Sequence, residues 1–272
     1  MTGGDCHAPS SSCQAQASAE GPEAEIGGML EIRGVAKSFG RLMAVEDLSV
    51  TIAAGTIHAF LGPNGAGKTT TIRMCVGLLR PDRGSILVDG HDVEEDGVAA
   101  RQIMAYVPDE PYLYDRLTGR EFLDFTARVY GLSRAVFARR LGEASERFSL
   151  GGFLDQLAEG YSHGMRQRVV LAAAMLHAPR LLIVDEPLVG LDPRHIRACL
   201  EFLKDVANQG GAVLMSTHTM ATVEEIAHQV TVIDRGRALA SGSVAQVRGT
   251  KGLEERFFEL TEGHLPGGDA PP

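Results

Sequence analysis

The chain has 272 residues, 44% of them apolar and 22% charged, with a net charge of −9. That length allows a large core in one or two domains, and the acidic balance argues against a nucleic-acid-binding surface. No run of about 18 apolar residues offers a membrane span, no apolar segment near the N-terminus reads as a secretory signal, and four cysteines without framework or zinc spacing fit a reduced cytosolic protein.

In chain order, residues 1–28 are rich in Ser, Ala, Gly, Pro and Gln and read as a disordered leader; Cys6-His7 with Cys13 is at most half a metal site. Residues 29–35 alternate like an edge strand, with 48–52 as its hairpin partner. An apolar run over 57–61 is a buried strand, and the helix from Lys68 ends near Gly77. Pro81 to Gly84 is a turn, followed by short strands at 85–88 and 103–107. Over 118–148 the pattern becomes helical. Thr118 with Glu121 makes a capping box and Ser133 caps a second helix. After a polar turn at 161–165 comes a helix over 166–177, then an apolar strand at 181–184. Pro193 opens a helix to about Asn208, strands follow at 212–215 and 230–233, and 237–240 is a hairpin return. Strands alternating with helices predict an α/β fold, a mostly parallel sheet covered on both faces. Residues 264–272 read as a frayed tail.

Two stretches carry chemistry. Gly62-Pro63-Asn64-Gly65-Ala66-Gly67-Lys68-Thr69-Thr70 matches G-x-x-x-x-G-K-[ST] between a strand and a helix, as a phosphate-binding loop requires. Its N–H groups and the positive helix end face phosphates, Lys68 reaches the β- and γ-phosphates, and the Thr69 hydroxyl ligates Mg²⁺. Only four of the 26 cationic side chains are lysines, yet one stands in this loop, where a compact ammonium suits the contact. The complement is Asp185-Glu186, an acid pair at the tip of the 181–184 strand. Asp185 is placed to hold Mg²⁺ beside Thr69, and Glu186 to polarise an attacking water.

The ordered set Gly62…Thr70, Tyr161-Ser-His-Gly-Met-Arg-Gln-Arg168, Leu182-Ile-Val-Asp-Glu-Pro187, Gly190-Leu-Asp192 and Ser216-Thr-His218 resembles the ATP-binding cassette (ABC) ATPases. The resemblance covers residues 29 to about 262. It implies a P-loop NTPase (RecA-like) fold: an N-terminal antiparallel β-subdomain, a mostly parallel sheet and an inserted α-helical subdomain. The cassette then spans 29–250, with core 29–108 and 164–250, helical subdomain 109–163, and a C-terminal helix and tail over 251–272. By the same resemblance Phe39 stacks on adenine, a packed loop aromatic being the alternative. Ser162 and Gly164 of the signature motif grip the γ-phosphate of ATP held by an opposite subunit, although Tyr161, His163 and Met165 depart from the usual L-S-G-G-Q. Asp192 lies at that seam, and His218 contacts the γ-phosphate and the attacking water. Asp109 stands where the family has Gln, and as an acid it can still meet Mg²⁺.

The implied cofactors are ATP and Mg²⁺. The implied partners are a second nucleotide-binding subunit, in a homodimer or with a close paralogue, and a membrane-spanning permease that holds the chain at the inner face of the membrane. No nucleic acid is expected. Glu186, His218 and Lys68 form the expected catalytic set of a transport ATPase, and the acid at 109 leans towards export. Two other readings remain: a soluble ABC ATPase of the translation or DNA-repair type, and a weakly hydrolysing regulatory cassette.

Overall fold

The computed structural model describes residues 28–262, so the expectations for the leader before Gly28 and for the 264–272 tail lie outside the described residues. Among the described residues, ten strands and nine α-helices run in chain order: β1 (Leu30–Phe39), β2 (Leu42–Ile52), β3 (Ile57–Leu61), α1 (Lys68–Cys75), β4 (Arg83–Val88), β5 (His91–Asp92), α2 (Gly97–Ile103) and β6 (Met104–Val107). After these come α3 (Gly119–Val129), α4 (Arg134–Arg147), α5 (His163–His177), β7 (Leu181–Asp185), α6 (Pro193–Asn208) and β8 (Ala212–Thr217). The described chain closes with α7 (Met220–Ile226), β9 (Gln229–Asp234), β10 (Arg237–Ser243), α8 (Val244–Arg248) and α9 (Leu253–Glu262).

Two sheets result. The first is antiparallel, in the order β2-β1-β4-β5; the second runs β10-β9-β3-β8-β7-β6 and is parallel except for the β9–β10 hairpin. The parallel strands are buried on both faces, and their side chains divide between two cores by strict alternation. Ile57, Ala59 and Leu61 of β3, Leu182 and Val184 of β7, and Val213 and Met215 of β8 face a core shared with α3–α6. Phe60, Leu181, Ile183, Ala212 and Leu214 face the other, shared with α1 and the antiparallel sheet. A one-residue slip would exchange the two sets, so register is strongly specified.

The helical insert begins as the sequence predicts. Thr118 Oγ1 accepts from the Glu121 N–H at 3.1 Å, and the Glu121 carboxylate accepts from the Thr118 N–H at 2.8 Å. Ser133 caps α4. Other boundaries differ from expectation. The β1–β2 hairpin is much longer than 29–35 with 48–52, because its pairing shifts between Ile32 and Ser38 and the bulges break the alternation. Helix α5 starts at His163 rather than Arg166, since Ser162 caps it by accepting from the Met165 N–H. Among the described residues no helix is long and apolar enough to cross a membrane.

Candidate nucleotide site

The phosphate-loop motif closes tightly on its surroundings. A Cβ on Gly62 would stand 2.2 Å from the Ile233 carbonyl oxygen, and one on Gly67 2.5 Å from that of Ala44. Gly67 also takes φ 102° as it opens α1, a conformation that excludes other residues. The loop carbonyl of Ala66 accepts from the Gly236 N–H at 2.9 Å, so the β9–β10 turn braces it from behind. Pro63, Asn64, Gly65 and Thr69 are exposed, Thr70 is half-buried, and Ala66 is buried against the core.

Lys68 is buried, and its ammonium donates to the carbonyls of Gly62 at 2.7 Å and Pro63 at 3.2 Å. Burial holds its pKa below the usual lysine range, while the nearby Glu186, Asp185 and Asp109 carboxylates pull it back up. Glu186 reaches it from β7: one oxygen lies 3.8 Å from Lys68 Nζ and the other 3.0 Å from His218 Nδ1. Lys68, Glu186 and His218, far apart in sequence, therefore meet at the ends of adjacent parallel strands, where ligands bind in such sheets. Glu186 adopts φ 45°, a left-handed conformation costing about 1–3 kcal/mol in a non-glycine residue. It is held by its N–H, which donates to Ser216 Oγ at 3.0 Å.

Asp185 is buried at the tip of β7, and one carboxylate oxygen accepts from Ser216 Oγ. Its other oxygen is buried with no hydrogen-bond partner among the described residues, and so is Glu186 Oε1, which Lys68 Nζ approaches only to 3.8 Å. Buried carboxylate oxygens without donors call for a cation or water, so these residues fit Mg²⁺. Asp109 lies close enough to be affected by Asp185. Burial raises its pKa, the Asp185 and Glu110 charges add to that, and His163 and His218 oppose it. Among the described residues no three His, Cys, Asp or Glu side chains form a ready-made metal site.

Phe39 sits at the end of β1 and is half exposed, with Lys37 Nζ 5.9 Å from its ring centre. Ser162 is exposed at the α5 N-terminus, where Ser162, His163, Gly164, Gly190, Leu191 and Asp192 line a cavity of about 340 Å³. Asp192 caps α6, accepting from the N–H groups of Arg194 at 3.0 Å and His195 at 3.1 Å. The His195 N–H and ring, with Arg194, hold its carboxyl below the usual range.

Three residues of the motifs have roles that the sequence alone does not assign. Ser216 locks both members of the acid pair at once. Gln167 is buried in α5 and donates to the Pro187 carbonyl at 3.2 Å, tying the signature helix to the loop after the acids. Tyr161, the first departure from the family motif, buries a hydroxyl that accepts from the Gly119 N–H at 3.1 Å and donates to the Phe153 carbonyl at 2.8 Å. It anchors the signature turn to the helical insert, work a leucine could do only by packing. Only its departure from pattern signalled it.

The family model for ABC transporters matches residues 45–189. The ABC-type transporter ATP-binding protein EcsA of Bacillus subtilis is 35% identical over 86% of this chain and 97% of its own length. The daunorubicin/doxorubicin resistance ATP-binding protein DrrA of Streptomyces peucetius is 36% identical over 82% of this chain and 68% of its own. A solved ATP-binding subunit of an ABC transporter superposes with a TM-score of 0.82 at 35% identity, covering 86% of this chain and 99% of that one. This chain belongs to the ABC transporter family, as an ATP-binding subunit that hydrolyses ATP to drive transport.

Proposed function

We propose that two copies of this chain, or one copy and a close paralogue, clamp ATP between them head to tail and so drive export through a separate membrane-spanning partner. The observation that carries this reading is the separation of two half-sites within one chain. Lys68, Glu186 and His218 converge at the phosphate loop. The capped, exposed N-terminus of α5 opens instead onto a cavity that no phosphate-loop residue lines. A helix N-terminus is an anion site, and a second molecule's γ-phosphate supplies the anion.

In that arrangement Phe39 stacks on adenine, the Gly62–Thr70 backbone cradles the phosphates, and Lys68 neutralises the β- and γ-phosphates. Thr69 and Asp185, with Asp109 nearby, would hold Mg²⁺. Such an ion would supply positive charge to offset that of the phosphates. Glu186 takes the proton of the attacking water, and His218, held by Glu186 through Nδ1, steadies the γ-phosphate. Ser162 and Gly164 grip the partner's γ-phosphate and Asp192 faces the same seam. ATP closes the pair and hydrolysis reopens it, a population shift driven by ligand.

The membrane partner docks beside residues 109–117. There Tyr112 is 71% exposed and stands edge-on to Tyr114 at 5.7 Å, which in turn meets the exposed Phe125 of α3 at 6.2 Å. An open aromatic cluster of this kind grips a short helix. The chain then works at the cytoplasmic face of the membrane. The resistance named for the Streptomyces relative favours outward transport.

Co-expression with a membrane-spanning permease encoded in the same genome tests the coupling. The expected result is a detergent-stable complex with faster ATP turnover than the chain alone. An ATPase indifferent to membrane partners, bound instead to ribosomes or DNA, would favour the soluble type. Asp109→Gln removes a negative charge from beside Asp185, so ATPase activity is expected to stay within about threefold or to rise. A loss beyond about 100-fold would assign Asp109 a chemical role of its own.

A further inference from the structure

His195 belongs to none of the motifs, yet it bridges two of them. It is the third residue of α6, and its side chain is 13% exposed. Its Nδ1 lies 2.7 Å from Asp192 Oδ2, and its Nε2 lies 3.1 Å from Arg168 Nη1. A guanidinium can only donate, so Nε2 carries the lone pair and the ring proton sits on Nδ1, donated to the carboxylate. The bridge is therefore a neutral imidazole between a cation and an anion.

Both ends are anchored without it. Arg168 Nη1 also donates to the carbonyls of Phe148 and Ser149 at 3.2 Å each, and its guanidinium lies 4.6 Å from the centre of the Phe153 ring. Asp192 caps α6 through its other oxygen, bonded only to backbone N–H groups. What the imidazole adds is a rigid link between α5, whose first turn Ser162 opens, and the loop that presents Asp192. The two segments touch a second time, because a Cβ on Gly190 would stand 2.5 Å from the His163 ring.

We propose that His195 is a positioning residue for ATP hydrolysis, keeping the Ser162 turn and the Asp192 loop at one spacing so that a protomer presents both to its partner's nucleotide together. This rests on the head-to-tail reading above. Removing the imidazole leaves the cap of α6 and the other Arg168 contacts in place, so it loosens the spacing without unfolding the chain. Misplacement of a positioning group costs rate rather than ground-state binding.

The test compares the full-length chain with His195→Ala and His195→Asn, measuring kcat, KM for Mg·ATP and thermal midpoint, with Glu186→Gln run alongside. The expected result for His195→Ala is a kcat lower by about tenfold, KM within about twofold and an unchanged midpoint. His195→Asn, whose amide offers an N–H to the Asp192 carboxylate and an oxygen to Arg168, is expected to recover most of the lost kcat. An unchanged kcat in His195→Ala overturns the proposal. So does a kcat loss that tracks a lower midpoint and is not rescued by Asn, which is the mark of a merely structural histidine. If His195→Ala is silent while Glu186→Gln forms an ATP-bound dimer, this proposal alone fails. If Glu186→Gln stays monomeric with ATP, the head-to-tail reading fails and takes the proposal with it.

Discussion

Glu186→Gln is expected to cut ATP turnover by about 10²- to 10³-fold and to leave the chain as a stable ATP-bound dimer. Glu186 sits between two groups that fix its orientation, Lys68 Nζ at 3.8 Å and His218 Nδ1 at 3.0 Å. Its left-handed backbone is pinned by the N–H donated to Ser216. Glutamine keeps the shape of the side chain but cannot accept a proton from water. It also removes a negative charge from beside the triphosphate, so ATP binding is kept or strengthened. With binding intact and hydrolysis gone, the closed state has no exit. Light scattering behind size exclusion, with and without Mg·ATP, together with phosphate release, checks both halves. Normal turnover in this variant would remove Glu186 from the chemistry.

Lys68→Ala is expected to weaken ATP binding by about 30- to 100-fold, or ~2–3 kcal/mol, and to abolish turnover. The buried ammonium faces the acid pair, and it is held against the loop by the Gly62 and Pro63 carbonyls. Burial lowers its pKa, and the Glu186, Asp185 and Asp109 carboxylates oppose that shift. Alanine leaves Asp185, Glu186 and Asp109 facing the phosphates with no counter-charge from the loop. Titration with a fluorescent ATP analogue measures the affinity, and an unchanged Kd would contradict the role.

The elements and site residues that sequence made legible are those whose signals are contiguous. The strand–loop–helix around Lys68, the acid pair closing β7 and the Thr118–Glu121 box each fit within a few residues, and the local physics suffices to read them. The hairpin of β1 and β2 was underestimated because its bulges break the period of two. Helix α2 passed unread because only Gly97 and Ala100 of it are buried, too little for a helical period. α7, with seven residues, and α8, with five, are also too short to show a helical period. The side chains that hold the site together were hidden for another reason. Ser216 with Asp185, Arg168 with His195, and Tyr161 with Gly119 are long-range pairs. Each looks like an ordinary polar residue until the fold supplies its partner.

The clamp itself is tested most directly by mixing two dead variants. Lys68→Ala destroys the phosphate loop but keeps Ser162. Ser162→Asp keeps the helix cap while repelling the γ-phosphate. Each alone is expected to be inactive. In a head-to-tail pair one of the two sites of the mixed dimer regains both Lys68 and Ser162, so equal mixing should restore about a quarter of wild-type turnover. No recovery on mixing, or full activity of Ser162→Asp by itself, would contradict an ATP site shared between two chains.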